Sequence, residues 1–334
     1  MDRFFWGSNT GRGFVSYAEE FYPEAKRRIL IKGGPGTGKS SFLKKVAEAT
    51  KEPVLFHCAS SPNSLDAVAD FSLGYFITDA TAPHVLEPVL PGARDEILDF
   101  GKFWQKDKLR ERMISIVKCQ RKTTDYFTQA YASLAKALKI RERLEKEYPV
   151  QDLVQFKKIW NELYNRIIPN NPNLGRGEKR FISAYTPQGL KCMPLIAKET
   201  LYVGASPSYA ETLLYPLAAL FLGSGEDVLY LMDPLDGHKL EGLYIQSKQI
   251  YIEAKWTYRE SELASLVQQA TEEGIKALSN AFQAHEELEK IYIELQEVKK
   301  NAATKHDVVR IENKMDMNHK ARIGEGSLGD TVWA

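Results

Sequence analysis

The chain has 334 residues, 43% hydrophobic and 27% charged, with a formal net charge of +1. This composition excludes a disordered, collagen-like or disulfide-stapled chain, and at roughly 150 residues per domain it predicts about two domains. With 45 Lys and Arg against 44 Asp and Glu, a global electrostatic grip on nucleic acid or an anionic membrane is not expected.

The start, Met1-Asp-Arg-Phe-Phe-Trp-Gly7, carries no cationic segment followed by an apolar stretch, so no leader is read there. Arg28-Ile-Leu-Ile31 is a short buried-strand signal. The octet Gly33-Gly34-Pro35-Gly36-Thr37-Gly38-Lys39-Ser40 follows it and fits G-x-x-x-x-G-K-[S/T]. After the octet, Ser41 opens an amphipathic stretch with Phe42, Leu43, Val46 and Ala47 on one face. Strand, glycine loop and helix is the context that this phosphate-binding pattern requires. Glycines let the backbone curl with its N–H groups inward, and a helix N-terminus favours anions. Gly33 to Ser41 are therefore expected to hold phosphates, with Lys39 on the β- and γ-phosphates and the Ser40 hydroxyl on Mg²⁺.

Pro53–Cys58 and Leu73–Asp79 read as two further strands. An apolar strand ending in Asp, some 40 residues past the loop, places Asp79 as the acid on the magnesium side. Ala80 stands where many motor ATPases carry a water-activating Glu. Asp66, Asn63 and Ser60, in the loop expected after the second strand, are substitutes for that base. So are His84 and Glu87, and His84, after Pro83, is a candidate to sense the γ-phosphate or orient water.

A helical arm is expected next, with a seam from Leu109 through Met113, Ile116, Phe127, Leu134 and Arg141 to Leu144. Another helix, about 151–168, turns Phe156, Ile159, Trp160 and Leu163 to one face. The turn-rich run Asn170–Gly177 marks a boundary. Beyond it the chain repeats. Thr10-Gly-Arg-Gly-Phe14 meets Thr186-Pro-Gln-Gly-Leu190 at a spacing of 176, and Leu30–Gly33 meets Leu201–Gly204 at 171. Phe76–Ala80 meets Ile250–Ala254 at 174, which pairs Asp79 with Glu253. In that alignment Tyr209, Ala210 and Glu211 replace Gly38, Lys39 and Ser40, so the second copy is not expected to bind nucleotide in the usual way. Arg176 or Arg180 is a candidate to reach across as an arginine finger.

A second arm runs from Leu263 through Val267, Gly274, Ala281 and Leu288 to Val298. Residues 101–147 hold 13 basic and 6 acidic side chains, and residues 256–300 hold 5 and 9. Opposite net charge predicts that the arms pack together. The basic arm lacks the interleaved aromatics of a single-strand platform, which argues against nucleic acid. In the polar tail, Asn313-Lys-Met-Asp316 spells the guanine-reading N-K-x-D, but lies about 275 residues past the loop and is read as coincidence. The longest apolar run, near Leu213–Leu222, is too short to span a bilayer. Cys58, Cys119 and Cys192 are odd in number and widely spaced, as in a reducing compartment. A cytoplasmic protein is expected.

Lys32–Ser41, Phe56-His-Cys58 with Ser64-Leu-Asp66, Asp79-Ala-Thr-Ala-Pro-His84 with Pro91-Gly92, and Thr186-Pro-x-Gly-Leu190 resemble a bacterial family of P-loop ATP-binding proteins with two tandem nucleotide-binding-like halves. The resemblance covers most of residues 1–300 and implies ATP, Mg²⁺ and an α/β P-loop fold. Members often keep an intact loop in both halves, and this chain departs from that at Ala205 to Glu211.

The expected fold is therefore α/β, a P-loop NTPase core duplicated in tandem, each copy followed by long helices that form an arm or coiled-coil-like hairpin. The expected divisions are 1–94, 95–170, 171–255, 256–300 and 301–334. The leading function is a slow Mg²⁺-dependent ATPase acting as a switch, with partners or self-association through the arms. A small-molecule kinase, a non-hydrolysing nucleotide sensor or assembly protein, a GTPase and a nucleic-acid translocase are the alternatives.

Overall fold

The computed structural model describes residues 2–17, 20, 25–83, 85–166, 173–257 and 260–295. It is a mixed α/β structure. Among the described residues, no helix is long and apolar enough to cross a membrane.

The first half supplies strands β1 (Arg3–Phe5), β2 (Gly7–Thr10), β3 (Gly13–Ser16) and β4 (Arg27–Lys32), then helix α1 (Lys39–Ala49). Strands β5 (Val54–His57), β6 (Leu65–Asp70), β7 (Tyr75–Asp79) and β8 (Asp95–Asp99) follow. They form a six-stranded sheet in the order β1-β5-β6-β7-β4-β8, while β2 and β3 make a separate hairpin. Only β6 runs antiparallel to its neighbours in the large sheet. β8 joins this sheet beside β4, just past the boundary expected at residue 94. Asp66 lies on β6, not in a loop as expected from the sequence. Short, turn-flanked Leu65–Asp70 carries too little alternation to be legible as a strand.

The second half repeats the plan. It contains β9 (Gly177–Arg180), β10 (Ser183–Thr186), β11 (Gly189–Cys192), β12 (Glu199–Gly204), α5 (Pro207–Gly223), β13 (Val228–Met232), β14 (Leu240–Ile245) and β15 (Ile250–Lys255). Its sheet reads β9-β13-β14-β15-β12, with β10 and β11 as the hairpin. The directions match strand for strand, with β14 alone antiparallel. Even the irregularities coincide: the β5–β6 ladder shifts between Phe56 and His57, and the β13–β14 ladder between Leu231 and Met232. β8 has no counterpart among the described residues.

The repeated threonine motifs are two copies of one hairpin turn. Thr10 Oγ1 donates to Gly13 O at 2.7 Å, and Thr186 Oγ1 to Gly189 O at 2.7 Å. Gly13 and Gly189 take φ of 94° and 104°, in the left-handed region open to glycine. The amides of Arg12 and Gln188 donate back to the two threonine hydroxyls.

Three apolar clusters make the layers. Ile29, Ile31 and Ile77 pack with Phe42, Leu43 and Val46 of α1 on the outer face of the first sheet. Val203, Leu243 and Ile252 pack with Leu213, Leu214 and Leu217 of α5 on the outer face of the second. Between the sheets, Trp6, Phe56, Ala69 and Phe76 meet Ile182, Leu231, Tyr244 and Tyr251, the equivalent positions of the two halves. Trp6 sits edge-on to Phe56 and stacked on Phe76, each at 5.6 Å between ring centroids. Equivalent residues also touch each other: Phe5 N donates to Phe181 O at 2.8 Å, and Asn9 Nδ2 to Tyr185 O at 3.0 Å. Self-pairing of equivalent positions is the mark of a two-fold relation, here within one chain.

These faces correct the alignment read from the sequence. Ile31 shares its face with α1, and Val203 shares its face with α5, so the two strands match at a spacing of 172, not 171. Likewise Ile77 matches Ile252 at 175, which makes Ala254 the counterpart of Asp79. A one-residue slip reverses every side chain of a strand, so Glu253 belongs to the opposite face.

Helices α2 (Lys106–Glu111), α3 (Met113–Glu147) and α4 (Leu153–Arg166) leave the first half, and α6 (Glu262–Glu294) leaves the second. α3 and α6 pack along each other. Ala130, Leu134, Ala137 and Leu144 are buried on α3, and Gly274, Leu278, Ala281 and Leu288 on α6. Glycine at 274 is required by the close approach, because a Cβ there would lie 2.9 Å from Leu134 Cγ. Lys122–Glu287 and Lys136–Glu273 pair across the rim at 3.1 and 3.9 Å. α4 belongs with the second sheet, since Ile159 and Leu163 join the core of α5.

Candidate functional site

The loop from Gly33 to Gly38 connects the C-terminal end of β4 to α1. Gly36 and Gly38 have φ of 66° and 85°, and Gly38 is the N-cap of α1 in left-handed conformation. The first turn of α1 carries no acidic residue and no side-chain cap, so its amide end keeps its affinity for an anion. Thr37 is buried and donates to Gly34 O at 2.8 Å, which pins the curl. Pro35 lies at the loop's crest. Ser41, the third residue of α1, is exposed.

Lys39 folds back into the loop. Its ammonium donates to Gly33 O at 2.8 Å and Gly34 O at 2.9 Å, and lies 3.6 Å from Asp79 Oδ2. Parallel pairing of β4 with β7 sets Ile31 beside Asp79, which brings the carboxylate to the mouth of the loop. Burial pushes the Asp79 carboxyl up, opposed by Lys39 and by the bonds from Thr81. Thr81 donates to Asp79 Oδ1 from its amide at 2.9 Å and from its hydroxyl. The Ser40 hydroxyl accepts from Leu65 N at 3.0 Å, so it too faces the start of β6.

Asp66 stands one ladder step beyond the Ala67–Thr78 pair, across from Asp79, and is buried. Asp66 acts electrostatically on Asp79, so two carboxylates on adjacent strands stand near each other, with Lys39 beside Asp79 and Ser40 bonded next to Asp66 at Leu65 N. His57 and Cys58 lie close by. Burial pushes the His57 imidazole down, and its Nδ1 bonds Pro62 O at 2.8 Å. The Cys58 thiol is pushed well up by burial and by Asp66. Lys39, Ser40, Asp79 and Asp66 therefore converge. Glu87 does not, because its carboxylate accepts from Lys32 at 2.7 Å. His84 and Asn313–Asp316 lie outside the described residues.

The far wall of this site was not legible in the sequence. The end of α6 reaches the loop: a Cβ on Gly36 would lie 3.0 Å from Glu289 O and 2.7 Å from Ile293 Cγ1. A Cβ on Gly34 would lie 2.9 Å from Trp104 Cη2. Trp104 and Tyr292 rings are 5.3 Å apart. The helix-to-loop contact in this wall joins Gly36 to Glu289, far apart in sequence, and no local pattern announces it.

The equivalent place in the second half is filled by the protein itself. Ser206 precedes α5 at the N-cap position without a side-chain cap bond, Pro207 opens the helix, and Ser208 N donates to Glu145 Oε2 at 2.8 Å. The Ser208 hydroxyl also donates to Glu145, and Lys239 Nζ bonds that hydroxyl at 2.9 Å. Glu145 is fully buried on α3. Arg141, one turn earlier, lies 3.2 Å from Glu145 and makes two bonds of 2.9 Å to Asp233. Segment 150–152 crosses the same connection: Ser206 N donates to Val150 O at 3.0 Å, and Asp152 N to Gly204 O at 2.7 Å. Ala210, the counterpart of Lys39, is fully buried.

Arg176 and Arg180 are taken up within the second half. Arg176 pairs with Asp227 at 3.3 Å, and Arg180, buried, pairs with Glu178. Among the described residues, no three His, Cys, Asp or Glu side chains form a metal cluster. No protein-family model, no curated protein and no solved structure matches this chain.

Proposed function

We propose that Gly33–Ser41 binds the phosphates of ATP with Mg²⁺, and that the protein is a slow ATPase whose nucleotide state sets the packing of its two halves. The observation that carries this reading is the convergence of Lys39, Ser40 and Asp79 on a glycine loop at an uncapped helix N-terminus. In the bound state the loop amides and Lys39 hold phosphate oxygens, and Lys39 leaves the Gly33 and Gly34 carbonyls for them. Ser40 and Asp79 offer hard oxygen donors, the class that suits Mg²⁺. Mg²⁺ held there would supply charge neutralisation to the phosphates. Asp66 is the group best placed to orient water, being opposite Asp79 on β6.

In the same proposal the two halves are a duplicated P-loop NTPase core, as in the tandem family that the sequence resembles, and the second copy is degenerate in this chain. The shared strand order supports duplication. Glu145 at α5 supports loss of nucleotide binding in the second copy. A non-hydrolysing sensor is the second reading, favoured by buried Ala80 in place of a catalytic Glu.

Calorimetric titration of Mg-ATP, and separately GTP, followed by phosphate release on the same sample, tests these readings. One ATP per chain with slow release is expected, and tight binding without release selects the sensor. Lys39→Ala is expected to weaken ATP by a hundredfold or more with the fold intact, a scale of about 3 kcal/mol. Unchanged affinity in that variant would remove the site assignment.

A further inference from the structure

The two long helices relate to the two helix N-termini by the same internal symmetry. Positions 130, 134, 137 and 144 of α3 are buried, as are 274, 278, 281 and 288 of α6, each 144 residues on. At that spacing Arg141 and Glu145 correspond to His285 and Glu289. Arg141 and Glu145 close the N-terminus of α5. His285 and Glu289 stand at the glycine loop of α1, where Glu289 touches Gly36 and Lys39 acts electrostatically on His285. Burial pushes the His285 imidazole down, with Glu289 opposing and Lys39 reinforcing.

Beside this contact lie two partly exposed aromatic rings, Trp104 and Tyr292, from different halves of the chain. Their backbones are tied, since Gln105 N donates to Leu295 O at 3.1 Å. Trp104 rests on Gly34 and Tyr292 lies 3.9 Å from the Cβ position of the same glycine. An aromatic face on the rim of a phosphate loop is placed to stack a nucleobase whose phosphates lie in the loop.

We propose that the end of α6 and Trp104 form the outer wall of the nucleotide site, with Tyr292 and Trp104 as its base-stacking surface. The second half then contributes to the site of the first in cis, and ligand binding is coupled to the seating of α6 along α3. This inference rests on the nucleotide reading of Gly33–Ser40.

The test uses the full chain and two ligands, Mg-ATP and inorganic triphosphate with Mg²⁺, titrated by calorimetry with tryptophan emission read in parallel. Tyr292→Ala is expected to weaken Mg-ATP about tenfold, the scale of one base-stacking contact, and to leave inorganic triphosphate unchanged. Tyr292→Phe is expected to bind both as the wild type does. Mg-ATP is expected to change the emission, and Trp104→Phe to remove that change. If Tyr292→Ala melts early, Tyr292→Leu keeps the apolar volume without the ring and is read in its place. Equal ATP affinity in wild type and variant, or an equal loss for both ligands, overturns the stacking wall while the nucleotide reading stands. Failure of the wild type to bind either ligand removes the nucleotide reading itself.

Discussion

The N-termini of α1 and α5 occupy equivalent places in two sheets of the same strand order, yet they are completed in opposite ways. At α1 the chain spends four glycines between residues 33 and 38 and no side-chain cap. At α5 it supplies a buried carboxylate, Glu145, held by Arg141 and bonded to the Ser208 amide. A helix N-terminus demands a negative partner. In the second half a carboxylate from α3 meets that demand, and in the first no side-chain cap does. The difference teaches that two equivalent helix ends in one chain can be completed by different means.

The strongest way to break the comparison is through β8, the strand without a counterpart in the second sheet among the described residues. Arg28 is fully buried and makes two bonds of 2.6 Å to Asp95, which also accepts from Arg94 and the Val89 and Leu90 amides. Asp95→Ala removes both of these bonds from a buried guanidinium, and a loss of about 3–5 kcal/mol in urea unfolding is expected. A loss under about 1 kcal/mol would mean that β8 is not anchored by this pair.

The next effect sharpens the comparison directly. Glu145→Ala empties the N-terminus of α5, and a stability loss of about 1.5–3 kcal/mol is expected from its charged hydrogen bonds. It is not expected to create a second ATP site, because Tyr209, Ala210 and Glu211 remain. A calorimetric stoichiometry of two in that variant would show that Glu145 alone closes the second half.

A smaller, pH-dependent effect lies at Glu241, the counterpart of Asp66. Burial pushes the Glu241 carboxyl up to about 8, with Asp233 and Glu253 adding to it and the Ser183 hydroxyl opposing. The folded state therefore holds a proton that the unfolded chain releases in the ordinary carboxylate range. Glu241 contributes its stability at low pH and loses it as pH rises toward about 8. Thermal unfolding of Glu241→Gln at pH 5 and pH 8 is expected to lose this part of the slope; an unaltered slope would assign it elsewhere. Least of all, Lys122→Ala removes an exposed rim pair with Glu287 and is expected to leave the melting temperature unchanged. A clear drop would mean that charge, and not the small-residue seam, holds α3 to α6.

Much of the site was legible because its signal is local. The octet Gly33–Ser40, its flanking strand and Asp79 are fixed by spacing along one strand–loop–helix unit. The α3 and α6 seams were legible by period, since Leu134, Ala137, Ala281 and Leu288 recur on one face. Asp66 was visible as a candidate but not as a strand residue, because β6 is short and bounded by turns. The pairing of Asp79 with Glu253 failed for a related reason: letters align equally well one residue apart, whereas the pleat admits only one register.

By itself, then, the sequence determined the strand–loop–helix unit around Gly33–Ser40, the two-copy order and the apolar faces, all set by interactions between residues close in the chain. Only the tertiary structure decided which helix end meets which loop, that Glu145 fills α5, and that Trp104 and Tyr292 stand beside Gly34. Those contacts join segments far apart in sequence. They follow from how two twisted sheets and two long helices share one internal two-fold, a geometry that local periodicity does not encode.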